Sequence, residues 1–253
     1  MDEMHTENRV VAIIECRMTS TRLPGKVLME SCGKSMLEHI VERLSRIDRL
    51  DQIVLATTSN ETDDCIEALS ERINVGCFRG SEEDVLKRVL GAAEMYSADT
   101  IVEITGDCPL IDPNVTSETI LFYLENDCDY ASNDLRPTYP LGMNVEVFSR
   151  KILTVADREG LTPADREHVS WFFVRNPERF RVDYIKAPPE LHWPDLRLTL
   201  DEMDDFRLID HLFTHFYPIK PDFLLSDIIS YLKENPEVAD TNSHVVQKNP
   251  ADE

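Results

Sequence analysis

Basic residues are scarce: 26 Lys and Arg stand against 48 Asp and Glu in 253 residues, a formal net charge of -22. So negative a surface repels phosphate polymers and anionic membrane faces, and neither nucleic acid nor a membrane is expected as a partner. Any phosphorylated ligand must meet cations gathered locally, or a metal. Glycine is also sparse, and nowhere do the glycines spell the G-x-G-x-x-G of a dinucleotide site. Gly33-Lys34-Ser35 has the ending of a P-loop, but Leu28 occupies the position where the upstream Gly is required. No CxxC pair occurs among Cys16, Cys32, Cys65, Cys77, Cys108 and Cys128, so reduced, mostly buried thiols are expected. Long apolar runs are missing, Val10 to Ile14 being strand-sized, and the opening MDEMHTENR is unlike a signal peptide. The cytoplasm is the expected compartment.

What is present is an ordinary globular balance, 42% apolar and 29% charged. VVAIIEC (10–16), QIVLATT (52–58), VGCF (75–78) and TIVEIT (100–105) have the β-branched density of buried strands. Helical spacing separates them at 36–47, 63–73 and 81–96, the last with Ser81 as its expected N-cap and Asp84 at the capping-box position. This βαβ rhythm predicts parallel pairing with right-handed crossovers. The second half is less regular. Helices are expected at 116–124, 152–159, 166–176 (ended by Pro177), 204–216 and 225–235, and strands near Tyr130 and at 145–148, 181–187 and 196–200. The expected organisation is a flexible 1–9, a single domain over 10–235 with a nucleotide-binding half (10–112) and an acceptor half (113–235), and a loose tail over 236–253.

Ligands of open parallel sheets bind beyond the carboxyl ends of the strands. The loop after the first strand places Arg17, Arg22 and Lys26 there, among Ser20, other hydroxyls and Gly25. Three cations in so acidic a chain suit a triphosphate; the bland alternative is a solvated basic loop. Gly106-Asp107 follows the strand 100–105, and Asp201 follows the segment 196–200. If those ends meet, two hard oxygen ligands converge in the manner Mg²⁺ prefers. The competing account makes both aspartates helix caps.

RMTSTRLPGKVL followed by GKSMLEHIVERL resembles the amino-terminal signature of cytidylyltransferases that make CMP-activated sugars. ATTSNETDD, FRGSEEDVLKR, ITGDCPLIDP, YPLGMNVEVF, DREHV and RLTLDEMDD extend the likeness over most of residues 10–210. It is nearest to the spore-coat polysaccharide biosynthesis F-type proteins, with deoxy-manno-octulosonate and acylneuraminate cytidylyltransferases more distant. Glu15-Cys16 departs from the usual Gln-Ala before Arg17.

The resemblance implies a nucleotide-diphospho-sugar transferase fold, an α/β Rossmann-like (GT-A type) mixed sheet with flanking helices. It implies CTP and a small-molecule acceptor as substrates, Mg²⁺ (or Mn²⁺) as cofactor, and a homodimer. Carried over by position, Arg17, Ser20, Arg22 and Lys26 would hold the triphosphate, and Thr57, Arg79, Ser81 and Arg88 would lie near the base or ribose. Thr105 and Gly106 join the nucleotide-binding set, Asp107 and Asp201 would bind the metal, and Arg17, Lys26 and Asp107 would serve catalysis. An acceptor oxygen would attack the α-phosphorus as pyrophosphate leaves, with no covalent protein intermediate.

The segment from Ser132-Asn133 to Glu146 mixes amides, an aromatic and a carboxylate around a turn, as specificity loops do. Asn133, Asn144, Glu146 and His168 are the acceptor-binding candidates. Two decoys stand apart. His211 and His215 lack the HExxH pattern, and Asp127-Cys128-Asp129 precedes its strand, the wrong end for a metal site here. A glycosyltransferase on the same fold and a nucleotide-binding regulatory subunit are the other functional readings. The first would need fewer cations, and the second would tolerate loss of the two aspartates.

Overall fold

The computed structural model describes residues 8–247. Nine strands are present among them: β1 (Val10–Glu15), β2 (Glu30–Ser31), β3 (Lys34–Ser35), β4 (Gln52–Thr58), β5 (Gly76–Gly80), β6 (Thr100–Thr105), β7 (Tyr130–Ser132), β8 (Glu146–Ser149) and β9 (Val182–Tyr184). Seven form one sheet in the order β5-β4-β1-β6-β8-β7-β9. The β5-β4-β1-β6 block is parallel, β8 runs antiparallel to both β6 and β7, and β9 lies parallel to β7. The mixed sheet expected from the sequence is therefore present, with the parallel block built by the first half of the chain.

Helices cover both faces: α1 (Met36–Leu44), α2 (Asp64–Arg72), α3 (Val85–Met95), α4 (Pro113–Glu125), α5 (Arg150–Glu159), α6 (Pro163–Glu167), α7 (Trp171–Val174), α8 (Met203–Phe216), α9 (Leu225–Glu234) and α10 (Pro236–Ala239). Along β1, Val11 and Ile13 pack toward α3 and α5, while Val10, Ala12 and Ile14 pack toward α1 and α2. Both faces being covered explains why β1 is apolar at successive positions rather than at alternate ones. A third cluster joins α8 and α9 to Met36, Leu110 and the extended residues Leu196, Leu198 and Leu200. Among the described residues no helix is long and apolar enough to cross a membrane.

The Gly33-Lys34-Ser35 segment is a hairpin corner. Cys32 and Gly33 both take positive φ, 51° and 75°, as a tight two-residue turn requires. Ser35 then caps α1 through a reciprocal box with Glu38.

Several expectations are corrected. Helix α3 starts at Val85 with Asp84 as its cap; Ser81 instead accepts a bond from the Asp84 amide, so the acidic cap wins three residues later. The helix expected over 166–176 is two short ones. Thr162, Pro163 and Asp165 make a capping box that starts α6 early, and His168 is extended, which breaks the run before α7. The strand expected over 181–187 is confined to Val182–Tyr184. Residues 196–200 join no sheet: they bridge to Leu141 and to the loop after β6. The tail expected to be loose from residue 236 instead forms α10 and a 3-10 turn, Asp240–Asn242, with Asn242 buried. Residues 1–7 and 248–253 of the expected flexible ends lie outside the described residues. All six cysteines are unpaired, as expected, but only Cys16 and Cys108 are buried.

Candidate active site

The loop leaving β1 is closed on itself. Gly25 adopts φ 74°, and its amide bonds to the Met18 carbonyl at 2.9 Å, turning the chain into a 3-10 turn that begins at Lys26. Buried Asp63 holds the near side of the loop, accepting from the Met18 amide (3.0 Å) and from both hydroxyls of Thr57 and Thr58. On the far side, Glu82 takes bonds from Arg17, Thr19 and Asn60. Neither carboxylate was singled out from the sequence; the density of hydroxyl and acidic residues in ATTSNETDD and GSEED was the available signal.

Lys26 lies between the two distant aspartates. Its Nζ is 3.0 Å from Asp107 Oδ2 and 2.9 Å from Asp201 Oδ1, and Arg22 reaches the same Asp201 oxygen at 3.0 Å. The other Asp201 oxygen is held at 2.7 Å by Arg197. These ends meet because the segment before Asp201 docks on the β6 loop: the Leu200 amide and the Thr199 hydroxyl both donate to the Asp107 carbonyl. Gly106 lets the loop after β6 lie close against the end of β1, since a Cβ there would stand 2.9 Å from the Glu15 carbonyl oxygen. Burial works against the Lys26 ammonium, but its two carboxylates outweigh that and hold its pKa above the ordinary value. Burial likewise opposes the Asp201 carboxylate, and Lys26, Arg22 and Arg197 together pull its pKa below the usual range. Neither aspartate is a cap: Asp112 caps α4, and Glu202 with Asp205 forms the box that starts α8.

The C-terminal segment completes this corner. Arg197 forks onto Asp205 as well as Asp201, Asn242 donates to Asp205 and to the Arg197 carbonyl, and Gln247 accepts from Arg197 at 2.5 Å. Arg197, Asp205 and Asn242 are almost fully buried. The lack of periodicity after residue 236 gave no sign of Asn242 or Gln247 in the sequence.

Arg17, Arg22, Lys26, Asp107, Asp201 and Gln247 line one cavity of about 1070 Å³. It brings together Arg17, Ser20, Arg22, Lys26, Arg88, Thr105, Gly106, Asp107, Asn144, Glu146, His168 and Asp201 of the expected residues, along with Asp134 and Glu167. Four expected residues lie outside it. Thr57 is sealed against Asp63, and Arg79 bonds the Thr58 and Asn60 carbonyls and pairs with Asp64 and Glu67. Ser81 serves the α3 turn, and Asn133 clips the Met143 carbonyl to the Val145 amide. Arg88 also spends hydrogen bonds on the Ser81 and Glu82 carbonyls, so its position in the cavity wall is fixed by the protein. His168 reaches the wall because Arg166 ties α6 to Asp84 ahead of α3.

Two observations bear on ligands. Arg22 Nη1 is buried with no protein partner, an orphan donor pointing to an anion. Asp107 and Asp201 converge on one cationic point, while no group of three or more metal-donor side chains exists among the described residues. Two carboxylates with phosphate and water are the donor set Mg²⁺ accepts, so the residues fit it. The two decoys have structural partners: His211 and His215 pack on Tyr231, and Asp127 and Asp129 hold Arg181.

Residues 11–247 match the family described as cytidylyltransferase. The chain is 38% identical over 240 residues to the uncharacterized protein MJ1063 of Methanocaldococcus jannaschii, covering 95% of this chain and 97% of that one. It is 34% identical over 242 residues to the spore coat polysaccharide biosynthesis protein SpsF of Bacillus subtilis, covering 92% and 97%. A solved cytidylyltransferase structure from Leptospira borgpetersenii superposes with a TM-score of 0.87 at 30% identity, over 95% of this chain and 99% of that one.

Proposed function

The chain belongs to the cytidylyltransferase family, and on that premise we propose that it transfers CMP from CTP to an oxygen of a small-molecule acceptor, releasing pyrophosphate. The observation that carries the reading is the meeting of Arg22, Lys26, Asp107 and Asp201 in one cavity. In it Arg22, with a free donor, and Arg17 grip the phosphates, and Lys26 lies where charge grows on the departing pyrophosphate. Asp107 and Asp201 would hold Mg²⁺, which when bound neutralises phosphate charge. The Asp107 carbonyl bonds keep its carboxylate at a fixed height above β6, and Arg197 does the same for Asp201. Such fixed placement lowers the barrier by presenting the α-phosphorus in line with the acceptor oxygen. The triple cation set also favours a triphosphate over the diphosphate of a nucleotide-sugar donor.

The relation to a spore coat polysaccharide biosynthesis protein supports a place in surface-polysaccharide synthesis; a cytoplasmic location and a homodimer belong to the same proposal. Pyrophosphate release measured with each of the four NTPs and a panel of sugars, sugar acids and phosphorylated metabolites tests the reading. CTP is the expected donor. Asp107→Ala is expected to cut turnover at least about a hundredfold with unchanged circular dichroism. Undiminished turnover removes Asp107 from the chemistry.

A further inference from the structure

The ammonium of Lys26 stands in the gap between Asp107 and Asp201, and its Nζ donates to one oxygen of each. Its side chain is only 12% exposed. Among the described residues Lys26 is the one cation paired with Asp107. Asp201 is held by two more, Arg22 on the oxygen that Lys26 also touches and Arg197 on the other. The three cations differ in how firmly they are tied. Arg197 is locked by further bonds to Asp205 and Gln247. Lys26 has no such anchor, and its charge rides at the end of a flexible aliphatic stem.

A carboxylate oxygen coordinates Mg²⁺ at about 2.0–2.1 Å. A dication shared by these two carboxylates and the Lys26 ammonium therefore compete for the same oxygens, and cations brought so close repel each other. The metal can be admitted only as Lys26 withdraws. Withdrawal by itself is costly, because it leaves a largely buried ammonium without either partner. A triphosphate removes that cost. The cavity wall that carries Lys26 also carries Arg17, Ser20 and Arg22 with its orphan donor. Phosphate oxygens gathered by those groups would give Lys26 replacement acceptors of the same charge.

From this arrangement we infer that Lys26 is an exchangeable counter-ion, which gives up Asp107 and Asp201 to the metal when nucleotide phosphates take over its charge. The inference rests on the cytidylyl-transfer reading and adds an interlock to that same site: metal and nucleotide each bind well only with the other. Such coupling is reciprocal. Lys26 stays an ammonium throughout, so the exchange moves no proton. Arg197 keeps its hold on Asp201 and holds that carboxylate aimed while its other oxygen changes partner.

The test reads metal binding without nucleotide. Mn²⁺ alone is titrated into the full chain, and the free ion is followed by its electron paramagnetic resonance. Lys26→Met keeps an unbranched apolar stem and removes the ammonium. It is expected to bind Mn²⁺ at least about tenfold more tightly than the original chain, because the metal no longer has to displace a charge-assisted hydrogen bond. Lys26→Gln is expected to change in the same direction, and adding Asp201→Asn to Lys26→Met is expected to abolish the gain. The ratio of CTP affinities with Mg²⁺ and with EDTA, from calorimetry, should be smaller in Lys26→Met, where no ammonium has to be drawn off the aspartates. A merely structural lysine would lower the melting temperature when replaced and leave Mn²⁺ affinity no higher. If a variant unfolds, Mn²⁺ restoring its melting transition counts as the gain, and failure to restore it counts against. Mn²⁺ binding no tighter in either variant, a gain that survives Asp201→Asn, or an undiminished ratio overturns the inference. No CTP binding in either condition would instead defeat the cytidylyl reading, while the Mn²⁺ titrations still decide whether Lys26 guards the aspartates.

Discussion

Replacing Glu146 by Gln should change how stability depends on pH more than it changes stability itself. Burial raises this carboxyl from 4.5 to about 7, with Asp134 adding to it and the hydroxyls of Ser170 and Tyr130 working against it. Glu103 faces it from β6, and Glu15 and His168 share the same wall. In the unfolded chain the proton leaves near 4.5, whereas in the fold it stays until about pH 7. The contribution is therefore complete below 4.5, drains as pH rises through 7, and levels off above. At about 1.4 kcal/mol per pH unit the loss from this group reaches about 3 kcal/mol. Gln does not titrate, so urea unfolding followed by the fluorescence of Trp171 and Trp193 should show little change at pH 5. At pH 8 the variant should be about 2–3 kcal/mol more stable relative to the original chain. Unfolding curves that differ by the same amount at both pH values would refute the claim that this carboxyl is buried without a counter-charge.

Three further outcomes follow from the site. Arg22→Met removes both the Asp201 contact and the orphan donor, and should weaken CTP binding roughly tenfold to a hundredfold in calorimetry. Gly142→Ala should destabilise the fold by more than about 1 kcal/mol in chemical unfolding and lower activity with it. Gly142 takes φ 99°, and a Cβ would lie 2.6 Å from the Leu198 carbonyl carbon, on the segment that delivers Asp201. Asn242→Ala strips bonds from buried Asp205 and the Arg197 carbonyl, so a loss of about 1–3 kcal/mol is expected. Its turnover should fall further than that of a surface control such as Ser243→Ala.

The sequence was most readable where information is local. β1, β4 and β6 are short runs whose composition admits little else, and the loop after β1 concentrates cations in a chain short of them. Asp107 and Asp201 could be picked out as residues following extended segments, and the structure sets both against Lys26. What could not be read was decided by partners remote in the chain. Leu196 to Leu200 has strand composition, yet its bonds go to Leu141 and the Asp107 loop, because β8 already occupies the flank of β6. Thr57 and Arg79 lie at strand ends facing the ligand side, but buried Asp63 and the acidic start of α2 claim them first. The stacked glutamates did leave a trace, since a single charge inside TIVEIT and another inside VEVF each break an otherwise apolar strand. Only the sheet order puts them side by side.

The packing of Asn242 and Gln247 against Arg197 has a bearing on synthesis. A chain emerging from the ribosome can lay down the parallel block and the cationic loop long before the groups that brace Asp201 exist. Contacts spanning so many residues are slow to close and late to form. Catalytic competence would thus be the last property the molecule acquires, and half-made chains would be shaped like the enzyme without yet being able to work as one.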